Sequence, residues 1–235
     1  MYFILRGVFI VNFKKIFILA ICFLLINCTY VNAATINSPY NKTYVILIDL
    51  NENRLFLIKN NSKKIIKSYP VASGKKSTPS PIGTWKIIDK GAWSNGFGTR
   101  WMGLNVPWGK YGIHGTNKPQ SIGSPASMGC IRMNNNDVED LYDKVSLGTV
   151  VIVYGGPFGL QYNNLRVLLP GNTGSDVFQV QKTLKSKGYY SNSLDGIYGD
   201  NLKKAIIKFE MDNKLNITHK INYELYKSLG MAPFE

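Results

Sequence analysis

The chain contains two stretches that differ in the spacing of their apolar residues. Between residues 43 and 154, apolar and polar positions mostly alternate, which is the period of β-strands. The polar segment 51–53 suits a tight turn between the first two predicted strands. A single helix is predicted over residues 137–145, with Asn135, Asn136 or Asp137 available as its N-cap. The predicted strands cover residues 44–49, 54–58, 64–70, 84–88, 100–104, 112–114 and 149–154.

The spacing of apolar residues changes after the glycine-rich segment 155–159. Apolar residues then recur at the spacing of one helix face, as in Leu202, Ala205, Ile206 and Phe209. Further helices are predicted over residues 175–187, where Gly188 acts as a stop, and over residues 223–229. The pattern therefore predicts a mainly β domain followed by a small all-α domain of three helices. The helical domain is near the lower size limit for a domain that folds alone.

Residues 1–33 have the order of a secretory signal peptide. Basic residues precede the apolar segment 16–26, and residues 31–33 suit a cleavage site. We expect cleavage after Ala33 and a secreted protein, although residues 2–12 are also apolar and leave an uncleaved anchor as the alternative. The predicted organisation is a signal peptide (1–33), a spacer (34–42), the β domain (43–156), a linker (157–164) and the helical domain (165–235).

Removal of the signal peptide would change the number of cysteines. The chain has three, of which Cys22 and Cys28 lie in the predicted signal peptide. The exported protein would keep Cys130 alone, so it could not form an intramolecular disulfide. A single cysteine in an exported chain is either an inert buried thiol or a reactive one. The residues around Cys130 therefore decide between these two interpretations.

His114 is the candidate base for Cys130. A thiol is a nucleophile only as a thiolate, so it needs a base or a positive field that lowers its pKa. His114 is one of two histidines in the chain and ends a short predicted strand. Gly129 permits a sharp turn before Cys130, so backbone N–H groups there could point at a developing oxyanion. The segment 117–127 is rich in Gly, Pro and Ser and could bring the two side chains together.

Residues 111–137 resemble the catalytic signature of the L,D-transpeptidase family, the YkuD-type domain. The signature consists of His-Gly at 114–115, Ser-Met-Gly-Cys-Ile-Arg-Met at 127–133, and the Asn/Asp-led helix that follows. The resemblance extends over most of residues 44–154 and implies a β-sandwich with one helix. It also implies acyl transfer in the bacterial cell wall. We expect neither a cofactor nor a metal.

The resemblance implies a role for each residue of the signature. Cys130 would attack a stem tetrapeptide and release the terminal D-Ala, while His114 would pass the thiol proton to the leaving amine. Backbone N–H groups at Gly129 and Cys130 would hold the oxyanion, with Ser127 and Gly115 as supporting residues. The side-chain amine of another stem would then attack the thioester, which gives a 3→3 cross-link. Water as the acceptor would make an L,D-carboxypeptidase instead, and an inert fold would leave a non-catalytic wall-binding protein.

Two positions of the signature leave a role open. Arg132 matches the arginine of the family, and it could bind a substrate carboxylate or form a structural ion pair. Many relatives have His where this chain has Met128, so a second histidine is missing here. A backbone carbonyl or the Ser127 hydroxyl is then expected to orient the imidazole of His114.

Residues 165–229 resemble the helical peptidoglycan-binding domain. The resemblance is carried by Gly-Asn-Thr-Gly-Ser-Asp-Val at 171–177, Gly-Tyr-Tyr at 188–190 and Asp-Gly-Ile-Tyr-Gly at 195–199. These glycine and apolar positions mainly define the fold of the domain. The resemblance therefore implies that this part of the chain binds the cell wall.

Candidate wall-binding residues of the helical domain are Tyr190, Asp195 and Tyr198. The tyrosine rings could stack on sugar or peptide, and core packing is the alternative for each of them. The chain departs from the family pattern at Glu210, which replaces a usual glutamine. His219 has no cysteine or second histidine nearby in the sequence, so a zinc site is not expected there.

The charge of the chain limits the classes of partner. The formal net charge is +14 at pH 7, and a field of this sign attracts polyanions over long distances. The positive residues are scattered instead of forming the Lys/Arg block typical of nucleic-acid binders, so no nucleic acid is expected. The expected partners are the stem peptides and glycan of peptidoglycan, with anionic wall polymers as a second class. Carbapenem-type inhibitors are expected to acylate Cys130.

Overall fold

The computed structural model describes residues 43–92, 94–156 and 165–231. The predicted signal peptide, spacer and linker lie outside these residues. No helix in the described ranges is long and apolar enough to cross a membrane. The strands are β1 (Tyr44–Asp49), β2 (Arg54–Lys59), β3 (Lys64–Pro70), β4 (Ser73–Gly74), β5 (Gly83–Ala92), β6 (Arg100–Leu104), β7 (Tyr111–His114), β8 (Pro125–Ser127), β9 (Ile131–Arg132) and β10 (Val150–Tyr154). The helices are α1 (Asn135–Lys144), α2 (Ser175–Ser186), α3 (Asp200–Asp212) and α4 (Tyr223–Leu229).

In the described part of the chain, eight strands form one mixed sheet in the order β3-β2-β1-β10-β5-β6-β7-β9. Strands β1 and β10 are parallel, and so are β7 and β9. The long strand β5 pairs with β10 through its first residues and with β6 through its last, and its register shifts between Ile87 and Asp89. Such an irregularity lets a strand bend. The predicted sandwich is therefore one curled sheet whose two halves meet at β5.

The predicted alternation places apolar side chains of the sheet in a common core. Ile46 of β1 and Leu57 of β2 are paired across the ladder, and both are fully buried. Helix α1 contributes Val138 and Leu141 to the same core, which contains residues from both halves of the sheet. Burial of a side chain of this size stabilises the fold by about 2 kcal/mol. The mainly β domain with one helix is therefore confirmed.

Helix α1 begins earlier than the sequence predicts. It starts at Asn135, and its N-cap is Asn134, which is none of the three predicted candidates. The Asn135 side chain accepts hydrogen bonds from Thr99 and Thr116 outside the helix, so it cannot act as the cap. The predicted start at Asp137 was therefore wrong, because tertiary contacts determine where this helix begins.

Three short strands were not predicted. Strands β4, β8 and β9 contain only two or three residues each, and each pairs with a segment that is distant in sequence. Such strands carry too few residues to show an alternating pattern. Strands β8 and β9 lie on either side of Cys130 in the chain, and β4 pairs with β8. The sequence pattern was therefore least informative where the candidate site is found.

The three predicted C-terminal helices are confirmed as α2, α3 and α4. Helix α4 begins after Asn222, whose side chain accepts a hydrogen bond from the Leu225 N–H at 3.0 Å. It ends at Leu229, and the C-cap residue Gly230 has a φ of 76° in the left-handed region that favours glycine. Buried residues of all three helices form a second core that is separate from that of the sheet.

Aromatic rings join the helical domain to the β domain. Phe178 of α2 lies 5.5 Å from Trp85 and 5.6 Å from Trp108, measured between ring centroids. The two tryptophans are themselves 5.3 Å apart in an edge-on arrangement. A Cβ at Gly196 would overlap the Trp108 ring, so only a glycine allows this approach. We refer to Trp85, Trp108 and Phe178 as the aromatic contact.

Candidate active site

The pairing of β7 with β9 places the segments that carry the two predicted catalytic residues side by side. Ile113 pairs with Ile131, and His114 pairs with Arg132. Cys130 directly precedes β9, so it stands two positions before Arg132. Paired residues of a parallel ladder place their side chains on the same face, so Arg132 shares the face of His114. The parallel ladder thus sets the strand that follows Cys130 beside the strand that ends at His114.

His114 is held in one orientation by its surroundings. Its Nδ1 lies 2.5 Å from the Gly115 carbonyl oxygen. Because a carbonyl oxygen only accepts, Nδ1 carries the hydrogen and Nε2 is the nitrogen that can accept a proton. The ring is stacked on Trp101 at 5.8 Å and meets the edge of Phe97 at 5.0 Å. Of the two predicted ways to orient the imidazole, the structure has the backbone carbonyl.

Burial keeps the imidazole neutral. His114 is only 3% exposed, and burial lowers its pKa below the ordinary value for histidine. The hydrogen bonds to the backbone of Gly115 and Phe97 oppose this shift, while the positive charge of Arg132 adds to it. At neutral pH the ring is therefore unprotonated and ready to act as a base.

Burial also keeps the thiol protonated. Cys130 is half-buried, and burial raises its pKa above the ordinary value for cysteine. The backbone of Gly112, which bonds to the sulfur, and the charges of Arg132 and Lys110 oppose this shift. In the resting site the thiol and the imidazole are therefore both neutral. Proton transfer to His114 then has to accompany attack by the sulfur.

Ser127 fixes the turn that presents Cys130. Its hydroxyl donates to the Cys130 carbonyl oxygen at 2.6 Å and accepts the Gly129 N–H at 2.9 Å. Gly129 has a φ of 114°, and a Cβ there would lie 2.7 Å from the Tyr111 ring. The Gly129 N–H is thus already bonded, which does not fit its predicted oxyanion role in this conformation. The Cys130 N–H has no acceptor among the described residues and is the better candidate.

Asn135 supports His114 through the backbone, and the sequence analysis missed this. Its Oδ1 accepts the Thr116 N–H at 3.2 Å and the Thr99 N–H at 3.3 Å. The Thr116 N–H belongs to the same peptide group as the Gly115 carbonyl that bonds to His114. Asn135 therefore anchors the group that orients the imidazole. The available signal was the position of Asn135 at the start of the helix, where a polar side chain can bond to neighbouring backbone N–H groups.

Arg132 lies beside the reacting groups without a carboxylate partner. It is half-buried on β9, and no Asp or Glu of the described ranges comes within ion-pair distance of it. The structural ion pair considered for Arg132 is therefore not seen in this part of the molecule. Its charge acts on the pKa values of both Cys130 and His114.

The predicted wall-binding residues of the helical domain are structural. Tyr190 and Tyr198 are 6% and 1% exposed, so neither ring can stack on a ligand. Their hydroxyls donate to backbone carbonyls of Ser193 at 3.0 Å and His219 at 2.8 Å. The stacking role predicted for the two tyrosines is corrected to core packing, because burial of the rings stabilises the small domain.

Asp195 also serves the fold of the helical domain. Its Oδ1 accepts from Gln181 Nε2 at 2.6 Å and from the Ile197 N–H at 2.9 Å, which closes the loop before α3. His219 lies in a turn with a φ of 55°, and its Nδ1 has no partner among the described residues. No group of three or more His, Cys, Asp or Glu side chains in those residues could hold a metal ion.

Comparison with protein families assigns both parts of the chain. Residues 43–153 match the YkuD family, the L,D-transpeptidase catalytic domain, and residues 173–229 match the family of a peptidoglycan binding domain. Over 116 residues the chain is 42% identical to YkuD of Bacillus subtilis, which is named as an L,D-transpeptidase. That match covers 49% of this chain and 68% of the relative. The chain therefore belongs to the L,D-transpeptidase family.

Two further relatives were found. YqjB of Bacillus subtilis, also named as an L,D-transpeptidase, is 33% identical over 124 residues, covering 46% of this chain and 69% of the relative. The solved catalytic domain of an L,D-transpeptidase from E. faecium is 25% identical, with a TM-score of 0.42, and covers 48% of this chain and 98% of that one. The family assignment rests on the sequence matches. The protein is thus an L,D-transpeptidase with a C-terminal peptidoglycan-binding domain.

Proposed function

We propose that the protein is an exported enzyme that forms 3→3 peptidoglycan cross-links through a thioester on Cys130. The observation that carries this proposal is the β7–β9 ladder, which pairs Ile131, the residue after Cys130, with Ile113, the residue before His114. The bond between His114 and the Gly115 carbonyl supports the assignment of His114 as the base. Membership of the L,D-transpeptidase family supports the class of reaction.

In the first half of the reaction, the enzyme is acylated. Nε2 of His114 takes the thiol proton as the sulfur of Cys130 attacks the carbonyl carbon of the third stem residue. The C–N bond to the terminal D-Ala then breaks, and the imidazolium gives its proton to the leaving amine. The products are a thioester and free D-Ala. The unbonded Cys130 N–H supports this step, because it can donate to the developing oxyanion.

In the second half, an amine resolves the thioester. The side-chain amine of another stem attacks the thioester carbonyl, the C–S bond breaks, and a C–N bond forms. His114 takes a proton from the attacking amine and returns it to the sulfur, which restores the thiol. The product joins the third residues of two stems. Water in place of the amine would release a tripeptide, so exclusion of water favours the cross-link over hydrolysis.

Mass spectrometry of the products tests this proposal. We expect the purified full chain to convert disaccharide-tetrapeptide to a cross-linked dimer with release of D-Ala, and Cys130→Ala to lose both products. Ser186→Ala, a change at an exposed residue of α2, is the control and should behave as the wild type. A tripeptide without dimer would indicate a carboxypeptidase. Equal products from the wild type and Cys130→Ala would refute catalysis by this thiol.

Acylation by a carbapenem provides a second test of the nucleophile. A strained lactam carbonyl is open to attack by a thiol, so the peptide containing Cys130 should gain the mass of the inhibitor. The adduct should be absent from Cys130→Ala and slow to form in His114→Ala. An adduct that forms equally well without His114 would argue against its role as the base.

Export and wall association are further parts of the proposal. We expect the mature protein to begin at Ala34, which N-terminal peptide mapping of the wall fraction would detect. An intact N-terminus in the membrane fraction would indicate the uncleaved anchor instead. The basic charge supports a contribution from anionic wall polymers. Binding to walls stripped of these polymers would then become weaker, and the remaining binding would measure the contribution of peptidoglycan.

A further inference from the structure

A cleft separates the helical domain from the β domain next to the candidate active site. Its volume is about 380 Å³, within the range of about 300–1,000 Å³ that is usual for ligand pockets. Lys76, Tyr111 and Met128 belong to its catalytic wall, while Arg166 and Ser175 belong to the opposite wall. The aromatic contact joins the two domains, so the cleft has two packed walls.

The cleft adjoins the segment that carries the thiol. Met128, which is 77% exposed, stands two positions before Cys130. Gly129 lies directly against the Tyr111 ring and the Pro79 carbonyl. Tyr111 lines the cleft, and its ring fills the space that a Cβ at Gly129 would need, directly before Cys130. A ligand in the cleft would therefore lie against Met128 and Tyr111, next to the turn that presents Cys130.

The charges of the cleft favour an anionic ligand. Asp176 accepts from Arg166 at 2.5 and 3.1 Å, so its negative charge is neutralised. Lys76 is exposed and has no carboxylate within ion-pair distance among the described residues. Ser175 is the first residue of α2, where unpaired N–H groups and the helix dipole add positive potential. A carboxylate can thus be held between Lys76 and the start of α2.

We propose that this cleft binds a stem-peptide segment of peptidoglycan through its free carboxylate, with the helical domain as one wall of the substrate site. The inference rests on the proposed function. The catalytic wall lies within the match to the L,D-transpeptidase domain, and Ser175 lies within the match to the peptidoglycan binding domain. Peptidoglycan is therefore a ligand that suits both walls of the cleft. The helical domain positions the substrate as well as tethering the enzyme.

Filling the cleft tests this assignment. Ser175→Tyr should raise KM for disaccharide-tetrapeptide by about tenfold, equivalent to 1.4 kcal/mol, with kcat little changed. Ser186→Tyr makes the same change on the same helix outside the cleft and should match the wild type. Acylation of Cys130 by a carbapenem, which does not need the cleft, should proceed at the wild-type rate in both variants. A thermal melt verifies that both variants are folded.

Reversing the charge of the catalytic wall is an independent test. Lys76→Glu should also raise KM by about tenfold, because it removes a charge-assisted contact and adds repulsion. Lys75→Glu changes the net charge equally at a neighbouring exposed residue that does not line the cleft. Its KM should stay close to that of the wild type. Equal effects of the two substitutions would overturn the proposal, because only the overall field would then matter.

The failure of the inference can be distinguished from failure of the proposed function. If Ser175→Tyr and Lys76→Glu leave KM unchanged in an active enzyme, the cleft does not bind substrate. A gain of activity in Ser175→Tyr, or a loss of carbapenem acylation, would also overturn the proposal. If the wild type itself releases no D-Ala, binding can still be measured by calorimetry, with disaccharide-tetrapeptide titrated into the Cys130→Ala variant. If Ser175→Tyr weakens that binding, the cleft is supported as a binding site even though the proposed reaction is not.

Discussion

The two domains use buried polar side chains in different ways. In the β domain, His114 is buried, its Nδ1 is bonded to the Gly115 carbonyl, and Nε2 is the nitrogen without a hydrogen in this tautomer. In the helical domain, Gln181 is fully buried and both ends of its amide are occupied. Its Nε2 donates to Asp195 at 2.6 Å and to the Ile197 carbonyl at 3.1 Å, and its Oε1 accepts the Gly196 N–H at 2.8 Å. A buried group that can still take up a proton suits catalysis, while an amide whose hydrogen bonds are all made suits a scaffold.

Substitution of His114 should have the largest effect and tests the catalytic side of this comparison. We expect His114→Ala to lower kcat by about 10²–10⁴-fold, because the thiol loses the base that accepts its proton. The melting temperature should change much less than the activity. Product formation measured by mass spectrometry, together with a thermal melt, checks both expectations. A variant that retains most of its activity would exclude His114 as the base.

Substitution of Gln181 should act on stability instead. Gln181→Ala leaves the Gly196 N–H without its acceptor, so the free energy of unfolding should fall by about 2–3 kcal/mol. The reactivity of Cys130 toward iodoacetamide should be unchanged under conditions where the variant is folded. Gln179→Ala, on the same helix, is the matched control and should be nearly neutral in chemical denaturation. Loss of thiol reactivity in the folded variant would show that the two networks are coupled.

Asn135 provides a smaller effect within the catalytic domain. Asn135→Ala should lower kcat by about tenfold, because the peptide group that orients His114 loses its anchor. Asn135→Asp keeps an accepting oxygen and should restore most of the activity, while Asn136→Ala at the exposed neighbour should have no effect. An equal loss in Asn135→Asp and Asn135→Ala would contradict a positioning role through the accepted hydrogen bonds.

Removal of the Arg132 charge should shift a pH profile without abolishing reactivity. The guanidinium lowers the pKa values of His114 and Cys130, so both should rise in Arg132→Gln. His114 then becomes protonated at a higher pH, and the thiolate forms at a higher pH. The rate of iodoacetamide labelling at Cys130, followed by peptide mass spectrometry, should therefore rise at a more alkaline pH than in the wild type. An unchanged profile would mean that Arg132 does not act on these groups.

The success of the sequence analysis followed the length of each element. The long strands β1 and β2 and the helix α4 were predicted within a few residues, because their patterns cover a full repeat. Strand β9 was missed, because its two residues form a strand only through pairing with β7. The boundaries of α1 were missed for a similar reason, since the Asn135 side chain is bonded outside the helix.

The same limit applies to the site. The sequence identified Cys130 and His114, because a motif with fixed spacing carries them. It could not choose between a carbonyl and the Ser127 hydroxyl as the group that orients His114, since that choice depends on how the chain folds back. Tyr190 and Tyr198 were left with two interpretations, and only their burial decides for core packing. The motifs therefore predicted the reacting residues, while the hydrogen bonds that orient them depend on how the chain packs.

The ladder between β7 and β9 has a consequence for how the enzyme can diverge. Backbone hydrogen bonds hold β9 beside β7, and within the connecting segment the Ser127 side chain fixes the turn before Cys130. Residues 117–120 of that loop are exposed and make few demands on the fold. Substitutions at these four positions can therefore accumulate without disturbing the turn that presents Cys130. The segment between His114 and Cys130 thus contains one part that is free to vary and one part that the geometry of the site requires.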